Sequence, residues 1–235
     1  MLRVPGEREG LSLVMATRGG LIKKTALSEF DNLRKSGLIA IVLREDDELM
    51  GVELTRGEDE LLLGTRDGMA IRFSESDIRL MGRVSMGVKS IELAEDDEVV
   101  GLAVVHAGTK VLSITQNGYG KRTDVEEYRL QSRGGKGILA MKLTEKTGLL
   151  AAQLLVREDE DLMVITDDGT IIRLPVESIS VLSRNTQGVR VMRVAEGSRI
   201  VGVKQTDRED ESAEEAPEER AENTEETAQE EPELE

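Results

Sequence analysis

VMATRGGLIKK (residues 14–24), LLGTRDGMAIR (62–72), SITQNGYGKR (113–122) and VITDDGTIIR (164–173) are four versions of one phrase. Each runs through apolar residues to a threonine, two further residues and a glycine, with a basic residue four positions after the glycine. The threonines, Thr17, Thr65, Thr115 and Thr166, are spaced by 48, 50 and 51 residues. A fixed period of this length marks tandem units that bury their apolar faces against one another.

The remainder of each unit keeps the same register. An apolar or aromatic residue follows thirteen positions after the threonine, at Phe30, Ile78, Tyr128 and Ile179, and is read as core. A loop then ends in Gly37, Gly87, Gly137 or Gly188, and an alternating run follows, as in GVKSIEL (87–93) and GVRVMRV (188–194). Alternation of this kind predicts half-buried strands. A short acidic turn and a last apolar run close the unit. The turn signals at Gly20, Asp67-Gly68, Asn117-Gly118 and Asp168-Gly169 suit tight hairpins, because glycine accepts positive φ without steric cost. About four short strands per unit and no convincing helix predict an all-β, propeller-like array of four-stranded blades. The expected boundaries are 11–57, 58–107, 108–157 and 158–206, after a lead-in at 1–10.

Of 235 residues, 47 are acidic and 31 basic, a net charge of -16. Residues 207–235 hold 15 of the acids against Arg208 and Arg220, a net of -13, which leaves residues 1–206 at only -3. The tail is Glu-rich with almost no large apolar residue and is predicted to be disordered. Tethered acids of this kind could compete with phosphates for basic surface. Charge within the repeats follows the phase. The windows 17–43, 65–93, 115–143 and 166–194 contain 20 Lys/Arg and 12 Asp/Glu, whereas the rest of 44–206 contains 7 and 18. In a blade array equal phases lie at equal places. Lys23, Lys24, Arg72, Lys121, Arg122 and Arg173 are therefore expected around the outside. Arg34, Lys35, Arg83, Lys89, Arg129, Arg133, Lys136, Arg184 and Arg190 form an adjoining row in or beside the Gly-terminated loops. A curved basic stripe suits bent duplex DNA held through its phosphates.

Composition narrows the alternatives. With two Phe, two Tyr and no Trp, base stacking on aromatic platforms is not the mode of binding. Zero cysteines exclude disulfides and thiolate chemistry, and a single histidine, His106, excludes a His-rich metal site or a His-based triad. Tyr119 and Tyr128 read as structural, and the acidic turns lack an EF-hand pattern, so neither catalytic nor metal residues are assigned. No apolar run reaches the ~18 residues of a membrane span, and the N-terminus lacks a signal-peptide core, so the chain reads as cytoplasmic.

The most specific string is QSRGGKGI (131–138). Its paired glycines allow close backbone approach to a phosphate, with Arg133 and Lys136 on either side. EYRLQSRGGKG (127–137) resembles the "GyrA box" of the C-terminal domain of the DNA gyrase A protein, and the likeness runs over roughly residues 11–206. The resemblance implies a β-pinwheel, a propeller relative with strands exchanged between blades, that bends DNA around its outer rim and is not catalytic by itself. It also implies nucleoid association and a holoenzyme of two A and two B subunits, with ATP and magnesium bound elsewhere. By position the box is Gln131, Ser132, Arg133, Gly134, Gly135, Lys136 and Gly137, with Ser132 where the strict motif has a second arginine. The family usually has six blades with the box in the first. Four repeats with the box in the third look like the last four blades, beginning at Met1. The corresponding domain of topoisomerase IV and a protein-interaction propeller, using the acidic turns as its surface, are the alternative readings.

Overall fold

The computed structural model describes residues 5, 6, 8–32 and 35–208. The expectations on Arg34, on residues 1–4 and 7 of the lead-in, and on residues 209–235 of the acidic tail lie outside the described residues. The first repeat forms β1 (Ser12–Thr17), β2 (Leu21–Ala26) and β3 (Leu49–Thr55). The second forms β4 (Glu60–Thr65), β5 (Met69–Ser74), β6 (Val88–Lys89) and β7 (Val99–Val104). The third forms β8 (Lys110–Thr115), β9 (Tyr119–Asp124), β10 (Ile138–Leu139) and β11 (Leu150–Val156). The fourth forms β12 (Glu160–Thr166), β13 (Ile171–Pro175), β14 (Val189–Arg190) and β15 (Ile200–Asp207). Among the described residues the helical segments are four 3-10 turns, and none is long and apolar enough to cross a membrane.

Each hairpin turns on its threonine. Buried Thr17, Thr65 and Thr115 accept the amide four residues on through Oγ1, from Leu21 at 3.1 Å, Met69 at 3.3 Å and Tyr119 at 3.2 Å. In the fourth repeat the Thr166 hydroxyl instead donates to the Thr170 carbonyl at 3.1 Å. The ladder slips at the same place, with a register shift at Ala16/Thr17, Gly64/Thr65 and Ile165/Thr166. Such a bulge sharpens the local twist of a strand. At the turn itself Gly118 has φ +80, a left-handed conformation open to glycine.

The sheets are not built from whole repeats. Their strand orders are β3-β1-β2-β6, β10-β5-β4-β7, β11-β8-β9-β14 and β13-β12-β15. The short third strand of each later repeat crosses to the blade before it: β6 pairs with β2, β10 with β5 and β14 with β9, all antiparallel. Three blades are thereby four-stranded, and the fourth has three strands. Residues 38–43, which occupy the donated-strand position of the first repeat, belong to no strand.

Blade-on-blade packing makes the core. Val14, Ala16 and Ile22 of the first repeat join Leu61, Ile71, Phe73 and Ile78 of the second. Leu62 and Ala70 meet Val125, Tyr128 and Ala140 across the next junction, and Leu112 and Ile114 meet Leu162, Val164, Val176 and Ile179 across the third. Fully burying one such side chain stabilises by about 1.5–3 kcal/mol. Because blades stack on both sides, most strands are buried on both faces, and the half-buried alternation expected from GVKSIEL survives as only the two-residue strand β6. Ile78, Tyr128 and Ile179 are buried against the preceding blade, as the spacing predicts. Phe30 is only half-buried, since no described blade precedes it.

Candidate nucleic-acid interface

The basic residues of the repeats fall into two sets with different surroundings. The first set lies beneath the rim. Lys23 and Lys121 are 0 % exposed, and Lys24 and Arg122 are also buried. The expectation that they line the outside is corrected: they bond to the segment of the next repeat that precedes its donated strand, and their charges satisfy carbonyls that have no ladder partner. Lys23 Nζ donates to the Ala40 carbonyl at 2.6 Å and to that of Arg83. Lys121 Nζ donates to the Ser183 carbonyl at 2.7 Å, to that of Arg184, and to Thr186 Oγ1 at 3.3 Å. Burial lowers both amines below the usual lysine value, Lys121 to about 8, with neighbouring Arg83 and Arg184 adding to the shift and Glu127 opposing it at Lys121.

Lys24, Arg72 and Arg122, one position further along their strands, staple each blade to the 3-10 turn of the following repeat. Lys24 Nζ donates to the Glu75 carbonyl at 2.9 Å, and Arg72 Nη1 donates to the Val125 carbonyl at 3.0 Å. Arg122 Nε donates to the Ile179 carbonyl at 2.7 Å. Glu60 pairs with Arg72, and Glu158 with Arg122. Arg173, at the same position in the fourth repeat, donates to Asp161 Oδ2 at 2.7 Å and to the Asp207 carbonyl at 2.8 Å, both within its own blade. Lys24, Arg72 and Arg122 thus join neighbouring blades, and Arg173 braces its own, with Arg72 and Arg173 half-buried.

The second set is at the surface. Arg83, Arg133 and Arg184 are half-exposed, and each reaches back to the donated-strand position of the preceding repeat. Arg83 Nη1 donates to the Ile39 carbonyl at 3.4 Å, Arg133 Nη1 to the Lys89 carbonyl at 2.9 Å, and Arg184 Nη1 to the Leu139 carbonyl. Arg133 is fixed further by Nε on the Asp77 carbonyl at 2.9 Å. These arginines shape the outer loops, and between them they leave Lys35, Lys89, Arg129, Lys136 and Arg190 exposed. Lys89 has Glu92 at 3.6 Å, and Arg190 donates to the Tyr119 hydroxyl at 3.0 Å with its guanidinium over the ring. Among the described residues Arg129 and Lys136 have no ion-pair partner.

The loop 131–137 is tied down rather than open. Gln131 donates its amide to the Arg72 carbonyl at 2.8 Å, and Gly134 its own to the Ser90 carbonyl at 2.6 Å. The expectation that both glycines offer N–H groups to a phosphate is therefore corrected at Gly134. Gly137 has φ +72, and a Cβ there would lie 2.4 Å from the Ala70 carbonyl oxygen, so this glycine seats the loop against the preceding blade. Ser132 and Gly135 are exposed beside Lys136. Sequence reasoning missed exposed Arg79, Lys142 and Arg193. The repeat register carried the signal, since Arg79 follows Ile78 as Arg129 follows Tyr128, and Lys142 and Arg193 lie five residues after Gly137 and Gly188.

The acidic turns have structural work. Asp47 Oδ1 accepts the Gly19 amide at 2.7 Å, and Asp97 Oδ1 accepts the Asp67 amide at 2.9 Å. Asp167 accepts the Arg199 amide at 2.9 Å and the Ser198 hydroxyl at 2.5 Å, contacts that lower its pKa. Among the described residues no group of three or more His, Asp or Glu could hold a metal ion.

Donated strands, blade-to-blade staples and basic outer loops define a strand-exchanged β-propeller of the pinwheel kind. The profile of the DNA gyrase C-terminal domain, beta-propeller, matches residues 12–56, 59–106, 109–153 and 160–207. The chain belongs to that family. It is 63% identical over 203 residues to the DNA gyrase A protein of Halalkalibacterium halodurans, which covers 86% of this chain and 24% of that protein. It is 43% identical over 203 residues to the DNA gyrase A protein of Escherichia coli K12, covering 86% and 23%. The chain thus spans about a quarter of the length of these relatives. Among solved structures, the C-terminal domain of DNA topoisomerase IV superposes with a TM-score of 0.81 at 26% identity, covering 86% of this chain and 64% of that one. The DNA gyrase A C-terminal domain gives 0.77 at 23% identity, covering 86% and 68%, a likeness of fold. Sequence identity favours gyrase A.

Proposed function

We propose that the chain is the DNA-bending module of a gyrase A protein, which holds duplex DNA along its outer loops by phosphate contacts and presents it to a cleavage core. The observation that carries this reading is the repetition of exposed bases on rigidly clamped loops: Lys89 beside Arg133's clamp, Arg129 and Lys136 in the next loop, and Arg190 a repeat further on. Loops pinned to neighbouring blades keep these charges in a fixed curve, so bent duplex meets them without reordering the protein. Few aromatic residues and no base-reading element favour backbone contact over sequence readout. In this reading the chain performs no chemistry. It works in the cytoplasm, near the nucleoid, as part of a holoenzyme of A and B subunits whose ATP and magnesium sites lie in other regions. The test is titration of the chain against two unrelated labelled duplexes over a salt series. Equal affinities that fall steeply as salt rises support the reading, and absence of binding by folded protein at low salt overturns it.

A further inference from the structure

We propose that Tyr119, Lys146 and Arg190 form a phosphate-binding site at the edge of the third blade, where the phenol and the two cations together hold one phosphate group. The inference goes beyond the reading of the rim, because a free oligophosphate offers these donors the same oxygens as a duplex backbone does.

Three separate segments bring the groups together. Tyr119 opens β9 directly after the Asn117-Gly118 turn, and its ring packs with Met141 and Leu150. Arg190 arrives on β14, the strand lent by the fourth repeat, directly opposite Tyr119 in the ladder. Its Nη2 donates to the Tyr119 hydroxyl oxygen at 3.0 Å, and the guanidinium lies 5.4 Å from the ring centroid. Lys146 comes from the turn that closes the third repeat, with Nζ also 5.4 Å from that centroid. Both distances fall within the ~6 Å of a cation–π contact. The hydrogen bond from Arg190 is the main cause of a lowered Tyr119 pKa; burial opposes it, and the charge of Lys146 adds to it.

The turn holds Lys146 in place. Asn117 Nδ2 donates to the carbonyls of Glu145 at 3.3 Å and Lys146 at 3.1 Å, and buried Thr147 accepts the Thr144 amide through Oγ1 at 2.9 Å. The amides of Asp47, Asp97 and Thr147 donate to the carbonyls of Arg44, Ala94 and Thr144, which aligns Lys146 with Asp46 and Asp96. The same three places therefore hold Leu21, Lys89 and Asp46 at the first blade, and Met69, Leu139 and Asp96 at the second. The third blade exchanges an acid for a lysine, and an aliphatic side chain for a phenol beside an arginine.

These donors converge without an acid among them. Among the described residues neither cation has an ion-pair partner, and beyond the phenol neither Lys146 Nζ nor the remaining Arg190 N–H groups have an acceptor. Both side chains are exposed. The phenol oxygen accepts from Arg190, which leaves its own proton to be donated outward. Two positive charges beside one phenol create a local field that favours an anion. A phosphate matches the donor set: two of its oxygens take charge-assisted bonds from Arg190 and Lys146, and a third takes the Tyr119 O–H. A carboxylate offers only two oxygens to donors converging from three segments.

The test titrates sodium pyrophosphate into the full-length chain at low salt, followed by calorimetry and by tyrosine emission, which no tryptophan obscures. Saturable binding with a change in emission is expected. Lys146→Asp places on the turn the residue that the first two repeats carry there, and Tyr119→Phe keeps the ring while removing the hydroxyl. Each should weaken binding about tenfold with an unchanged circular dichroism spectrum. A labelled duplex titrated against the same proteins separates the two sources of phosphate. Weakening of duplex binding by both variants identifies a backbone phosphate, and weakening confined to pyrophosphate identifies a free oligophosphate. The proposal is overturned if either variant leaves both ligands unaffected; a loss with Lys146→Asp alone would reduce the cluster to general surface charge.

Discussion

The Arg133 guanidinium donates to the Lys89 carbonyl at 2.9 Å, so the most basic loop of the third repeat is fastened to the strand that the second repeat lends to the first blade. Three repeats meet in one hydrogen bond, and the exposed charges on either side take their positions from it. Arg133→Ala removes this bond and the one to Asp77. Urea denaturation is expected to report a loss of about 1–3 kcal/mol, with DNA affinity falling as well because the loop is no longer held.

Lys136 and Lys121 separate the two roles of the basic residues. Lys136→Ala, at an exposed side chain, should leave stability within ~0.5 kcal/mol and weaken duplex binding. Lys121→Ala, which removes a fully buried amine together with its hydrogen bonds to the Ser183 and Arg184 carbonyls, should cost roughly 2–4 kcal/mol. Parallel denaturation and binding curves on the two variants check the contrast.

Glycine positions in the loop are expected to differ sharply. Gly137→Ala combines positive φ with a Cβ 2.4 Å from the Ala70 carbonyl and should destabilise by roughly 2–4 kcal/mol. Gly134→Ala has positive φ as well, but its nearest neighbour is the Lys89 carbonyl oxygen at 3.6 Å, so the expected loss is about 1–2 kcal/mol. Equal losses at the two sites in thermal or urea unfolding would contradict this placement.

The lowered pKa of Lys121 gives stability a pH dependence of known sign. In the fold the amine releases its proton near about 8, whereas in the unfolded chain it does so near the ordinary 10.5. Between those values the unfolded chain binds more protons, so stability rises with pH across that window. Denaturation of the unaltered chain against Lys121→Met from pH 7 to pH 10 should show the difference shifting in favour of the lysine as pH increases.

Much of the architecture is legible in the sequence because a repeat constrains every unit at once. The period locates the hairpins at Thr17, Thr65, Thr115 and Thr166, and the buried positions of Ile78, Tyr128 and Ile179. Periodicity alone does not reveal which basic residues are exposed. Lys121 and Lys136 look equally basic in a string, and only the loop of the fourth repeat that carries Ser183, Arg184 and Thr186 against β9 makes one an interior staple, while the other stays on the rim. The glycines of the box are likewise visible, but not the use of the Gly134 amide by Ser90, a contact between residues from different repeats. Exposed Arg79, by contrast, is readable from its equivalence to Arg129.

The most direct test of the central claim is the salt dependence of duplex binding by the double variant Arg129→Gln/Lys136→Gln beside the unaltered chain. If these exposed bases hold phosphates, the slope of log affinity against log salt should fall by about 1.8, roughly 0.9 for each lost contact, and equally on unrelated duplexes. An unchanged slope with the fold intact, or a loss confined to one sequence, would contradict the account.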